Sequence, residues 1–285
     1  MQNKKLAWAR IAIFTILAFL IFWIPIWIFD TNIAVSTDPK VAFVAIFAGF
    51  SPAIANILTR LLTKEGFSDS FLHFRFTQKG RYYLIAPLLN IVYVVIPALF
   101  VRCILSNRMT NTSILDGTST FSLVCGLFSN LGYACIFALY TFGEEFGWRA
   151  YLMPRLEKLI GTAPSIFVGG IIWGLWHAPL FKYGYNFGSD YPFFPYLGIA
   201  LMCVTCIASN SIYTWLTKRS GSIFPSSLAH ASNNSVCNLL TVLILFGKLN
   251  ESDIFLASAL ATGFEILIAL PFFISCCKKK EYDMP

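Results

Sequence analysis

Charge is scarce in this chain: only 12% of its 285 residues are Asp, Glu, Lys or Arg. So little charge excludes a disordered or solvated acidic tail and leaves few groups for ionic chemistry. Histidine is scarcer still, at three residues, so any histidine-based site must use His73, His177 or His230. No HExxH sequence is present, and the eight cysteines form no paired CxxC set, which removes the compact zinc signatures. Short alternating segments, the mark of a transmembrane β-barrel, are missing too. So are soluble domains, linkers and strong internal repeats. The excess of positive charge, +7, sits in short clusters between apolar runs, so it reads as membrane loops and not as a nucleic-acid surface.

What remains is apolar. Hydrophobic residues make up 57% and the mean hydropathy is +0.68. The expected class is therefore all-α: a polytopic membrane protein of about eight transmembrane helices, in one domain spanning 1–285. The expected spans are Ile11–Phe29, Val41–Thr59 with Pro52 as a kink, Tyr82–Val101, Thr118–Phe142, Pro164–Phe181, Tyr191–Thr217, Ile223–Phe246 and Ile254–Ser275. Basic residues concentrate at the amino terminus, in Arg60–Arg81, Arg149–Lys158, Lys218–Arg219 and the terminal lysines, with Arg102 and Arg108 as the exception. That pattern predicts a multi-pass cell-membrane protein with both termini cytoplasmic.

Against this background Gly143-Glu144-Glu145-Phe146-Gly147-Trp148-Arg149 stands out. Carboxylates at the edge of a hydrocarbon-length run mark a functional site by default. On a helix Glu145 and Arg149 share a face, acid before base, whereas Glu144 lies about 100° away and lacks that partner. Two further polar spots interrupt apolar runs at the same four-residue spacing: Trp173 with His177, and His230 with Asn234. Alone, each has a plain reading as a buried ion pair or interhelical hydrogen bond. Together they hold two of the three histidines.

These blocks resemble the EExxxR, FxxxH and HxxxN motifs of the CPBP family, the CAAX protease and bacteriocin-processing intramembrane peptidases. The resemblance covers roughly the second half of the chain, with a catalytic core at about 118–246, and Trp173 stands where the family usually has Phe. It implies that Glu144 activates water with help from His177, while His230 and Asn234 stabilise the oxyanion. Glu145 and Arg149 would support the site, and the helices would enclose it in a polar catalytic cavity. No metal or other cofactor is implied. The partners would be the lipid bilayer and a membrane-associated peptide or protein, prenylated or bacteriocin-like, with no nucleic acid. Competing readings are a zinc protease using the same Glu and His set, a proton-relaying transporter, and a non-catalytic immunity protein. Glu265, in the last span, belongs to no motif; it is either protonated and hydrogen-bonded or lines a cavity.

Overall fold

The computed structural model describes residues 2–30, 37–109, 120–237 and 249–278. Among them there is no strand. Helix α1 is Gln2–Phe29, long enough at 1.5 Å per residue to cross a hydrocarbon core of about 30 Å. Phe14, Ala18, Phe22 and Ile26 recur every fourth residue along its buried side, while Ile16, Leu20 and Ile24 face outward. An outward apolar stripe is what a lipid-facing helix requires.

Helices α2 (Pro39–Gly49) and α3 (Ser51–Thr63) form one bent unit with a 50° break, and Pro52 lies in the first turn of α3. The expected kink is there. Helix α4 is Phe76–Ile104. Helix α5, Thr120–Gly147, carries the acidic motif at its end and widens into a π turn at Trp148–Leu152 before α6, Met153–Ile160. Helix α7 is only Thr162–Trp176; it stops at His177 and passes into a 3₁₀ segment, Ala178–Tyr183. Helix α8 is Tyr196–Ser220, and α9, Phe224–Ser232, ends in a second π turn at Asn233–Cys237. Helix α10 is Glu251–Lys278.

Among the described residues, four helices (α1, α4, α8 and α10) are long and apolar enough to cross a membrane, or five spans if α2 and α3 count as one. The chain is thus an all-helical, multi-pass membrane protein. The expected fifth span is shorter than drawn: fifteen residues of α7 cover about 22 Å, less than a hydrocarbon core. The latter half of the expected seventh span, 238–246, lies outside the described residues.

Helix α7 packs hard on α8. A Cβ on Gly170 would come within 2.6 Å of the Ile207 Cα, and one on Gly174 within 2.5 Å of the Cys203 Cα. Glycine is required there because backbone meets backbone. On its other side α7 meets α1. Trp176 stacks on Phe22 with centroids 3.8 Å apart, and its indole N–H reaches Ser51 Oγ at 3.0 Å.

Candidate active site

Three chain segments converge: the end of α5 with its π turn, the end of α7, and α9. Thr141 ties the first to the third, its hydroxyl donating to the Ser227 carbonyl at 2.8 Å. The neighbouring carboxylates then point to different partners, as expected of adjacent helical positions.

Glu145 is fully buried. Its Oε2 lies 3.1 Å from Arg149 Nε, the pairing expected at four-residue spacing. Its other oxygen takes the Nδ1 proton of His230, at 2.9 Å. That contact bridges eighty-five residues of chain and was invisible to sequence spacing. Glu145 therefore both anchors Arg149 and orients a histidine, more than the shape-holding role expected of it.

Glu144 is buried as well, with its own two contacts. Trp173 Nε1 donates to Oε2 at 2.9 Å, and His230 Nε2 faces Oε1 at 3.8 Å. Thus His230 donates from one nitrogen to the supporting carboxylate and presents the other to Glu144. Trp173 is more than a retained aromatic: its N–H makes a contact that phenylalanine lacks.

The Arg149 guanidinium lies between two rings, 4.4 Å from the Trp173 centroid and 5.1 Å from that of Tyr213. It is fully buried, and none of its nitrogens makes a hydrogen bond of good geometry among the described residues. The Glu145 charge and the two ring faces hold it instead.

His177 closes α7. Its Nδ1–H donates to the Trp173 carbonyl at 2.9 Å, which makes Nε2 the lone-pair nitrogen of the neutral ring. The ring stacks on Tyr185 at 5.8 Å with an interplanar angle of 16°. Helix α7 ends sooner than the expected span Pro164–Phe181, so His177 sits at a helix terminus and not within the helix.

Asn234 lies apart from this group. It is exposed within the second π turn, and its Oδ1 accepts from Asn233 Nδ2 at 3.3 Å. The structure thus brings Glu144, Glu145, Arg149 and His230 into one contact network, attaches His177 to it through Trp173, and leaves Asn234 on the rim. Both motif helices relax into π turns at these positions, a feature frequent at functional sites.

A second polar cluster, which sequence reading missed, braces the first π turn from α3. Asn56 Nδ2 donates to the Phe146 carbonyl at 2.7 Å and Arg60 Nη2 to that of Ala150 at 3.3 Å. Arg60 Nη1 also binds Asp69 Oδ1 at 2.5 Å. Glu65 accepts from Thr63 and Tyr151, each at 2.7 Å, and from Arg155 Nη2 at 2.6 Å. Burial pushes the Glu65 carboxyl upward, yet these hydrogen bonds outweigh it and hold the group below the usual glutamate range. The signal available in sequence was the mixture of Arg60, Lys64, Glu65 and Asp69 within ten residues, which read only as a basic connection.

Glu265 accepts from the Tyr93 hydroxyl at 3.5 Å, which favours the hydrogen-bonded alternative. Between α4, α5 and α9 lies a cavity of about 140 Å³ walled by Phe74, Tyr83, Phe142, Phe224 and Leu228; none of the four expected catalytic side chains lines it. No three His, Cys, Asp or Glu side chains among the described residues are grouped to hold a metal ion.

Residues 126–236 match the family described as type II CAAX prenyl endopeptidase Rce1-like. The matched segment contains Glu144, Glu145, Arg149, Trp173, His177, His230 and Asn234. No curated protein matches the chain.

Proposed function

Resting on the likeness of residues 126–236 to the type II CAAX prenyl endopeptidase Rce1-like family, we propose that the chain is an intramembrane endopeptidase of the glutamate type. The observation that carries this reading is the setting of Glu144: a buried carboxylate held between an indole N–H and a histidine that its neighbouring acid orients. In the reaction, Glu144 takes a proton from water as the water oxygen attacks the scissile carbonyl carbon. The resulting oxyanion accepts a hydrogen bond from His230 Nε2–H, the imidazole being protonated on both nitrogens beside two carboxylates. The C–N bond then breaks, and the proton held by Glu144 passes to the leaving amine. Such a base contributes typically about 10²–10⁴-fold, and one oxyanion donor about 10²–10³-fold. His177 assists from the end of α7, and Asn234, on the rim, contributes its amide once substrate is seated against the second π turn.

Substrates would be membrane-associated peptides or proteins, including chains ending in a prenylated CAAX sequence. The fold would enclose the site within about eight helices, with both termini and the α3–α4 connection on the cytoplasmic side. Reporter fusions after Thr63 and near Thr37 should then read opposite faces of the membrane; the same face for both would overturn this orientation.

The division of labour between the acids is tested by turnover per folded molecule. Glu144→Gln preserves volume and removes the base, so a loss of at least ~10²-fold with normal yield is expected. Glu145→Gln strands Arg149 and loosens His230, so folded yield should fall first. If Glu144→Gln still cuts while a well-folded Glu145→Gln does not, the base has been misassigned.

A further inference from the structure

We infer that Trp173 is a positioning residue that selects which oxygen of Glu144 acts as the base, an inference that rests on the reading of Glu144 above. Trp173 touches four residues of the site: Glu144, Arg149, His177 and His230. Its N–H binds Glu144 Oε2 at 2.9 Å, its face lies 4.4 Å from the Arg149 guanidinium carbon, and its carbonyl takes the His177 Nδ1 proton at 2.9 Å. Its ring also meets that of His230 edge-on at 5.4 Å. The chain positions are not neighbours: Glu144 and Trp173 are twenty-nine residues apart on different helices.

A carboxylate has two chemically equivalent oxygens and rotates between them unless something distinguishes them. Here the indole N–H occupies Oε2, and Oε1 is turned to His230 Nε2. An N–H bond to a charged acceptor in a dry site is strong and directional. Arg149 over the π face draws ring density and sharpens the indole N–H as a donor. The proton from water is therefore received at Oε1, on the same side as the group that meets the oxyanion. Phenylalanine at this position would keep the ring beneath Arg149 and give up this selection. Trp148 also turns its indole towards Glu144, without a hydrogen bond of good geometry, so the well-formed indole bond to this carboxylate is the one from Trp173.

The test uses the full chain in lipid nanodiscs, with nitrogen-15-labelled indoles, and a quenched fluorescent peptide ending in a farnesylated CAAX sequence as the probe. The Trp173 indole resonance is identified by its absence from Trp173→Phe, or from Trp173→Tyr if the first variant does not fold. Glu144→Gln should move this resonance upfield, further than that of Trp148. Trp173→Phe should lower kcat about tenfold, equivalent to about 1.4 kcal/mol of barrier, and leave KM within about twofold, because the substrate is bound elsewhere. A Trp173 resonance indifferent to Glu144→Gln, or a Trp173→Phe variant with undiminished kcat, overturns the inference. Undiminished cleavage by Glu144→Gln would instead remove the base assignment itself, while the indole shift would still report whether the hydrogen bond exists.

Discussion

Two polar clusters flank the π turn at Trp148–Leu152, and they are built on opposite plans. On the α3 side, Glu65 takes hydrogen bonds on both oxygens, Arg60 binds Asn56, Gly66, Asp69 and Ala150, and Arg155 lies over Tyr151 while binding Glu65. On the α7 side, Arg149 makes no hydrogen bond of good geometry, and Glu144 meets His230 only at 3.8 Å. The contrast separates two uses of buried charge. A saturated cluster spends its hydrogen-bonding capacity on the fold, whereas an incomplete one retains capacity that a substrate and water can fill. The two share a turn, so the first holds still the backbone from which the second works.

The comparison can be broken in descending order of effect. The incomplete cluster should show the largest loss of activity and little loss of stability: Glu144→Gln at least ~10²-fold in turnover, with the thermal midpoint near that of the parent. The saturated cluster should reverse this. Arg60→Leu leaves the Asn56 side-chain oxygen and the Ala150 carbonyl without their donor and Asp69 with Arg155 alone, and breaking a buried pair costs roughly 3–5 kcal/mol. The lower end is expected because Asp69 is one-quarter exposed. Thermal melts of the detergent-solubilised protein should show it, with turnover per folded molecule reduced far less than by Glu144→Gln. Equal losses of turnover in the two variants would show that the clusters are not separable.

The smallest effect concerns acid. Because Glu65 titrates below the usual glutamate value of 4.5, its stabilisation is present in full above that pH. It is lost as pH falls through the lower folded value. Stability measured from pH 6 downward should therefore fall less steeply in Glu65→Gln than in the parent. Parallel curves would mean that Glu65 is not part of the saturated cluster in solution.

Much of the candidate site's local geometry was legible because helical spacing is local information. Glu145 with Arg149 is fixed by the four-residue repeat, and the long apolar runs fix α1, α4, α8 and α10. The kink near Pro52 follows from the missing amide proton. What spacing could not reveal is which helices touch. Glu145 meets His230 across eighty-five residues, and Asn56 meets Phe146 across ninety. The Trp173 side chain read simply as an aromatic because its donor matters only once Glu144 stands opposite. Asn234 on the rim, and the end of α7 at His177, depend on π and 3₁₀ turns that composition does not announce.

The glycine contacts of α7 carry a consequence for how finely this machinery is set. Trp173 and His177 ride on a helix whose Gly170 and Gly174 rest directly on the main chain of α8. Main-chain atoms have no rotamers, so this bearing surface has almost no play, unlike a joint made from flexible side chains. The distance from indole to carboxylate is thereby gauged by two missing methyl groups. A single added carbon at either glycine would act as a shim between the helices, displacing two motif residues while leaving every motif residue unchanged in the sequence.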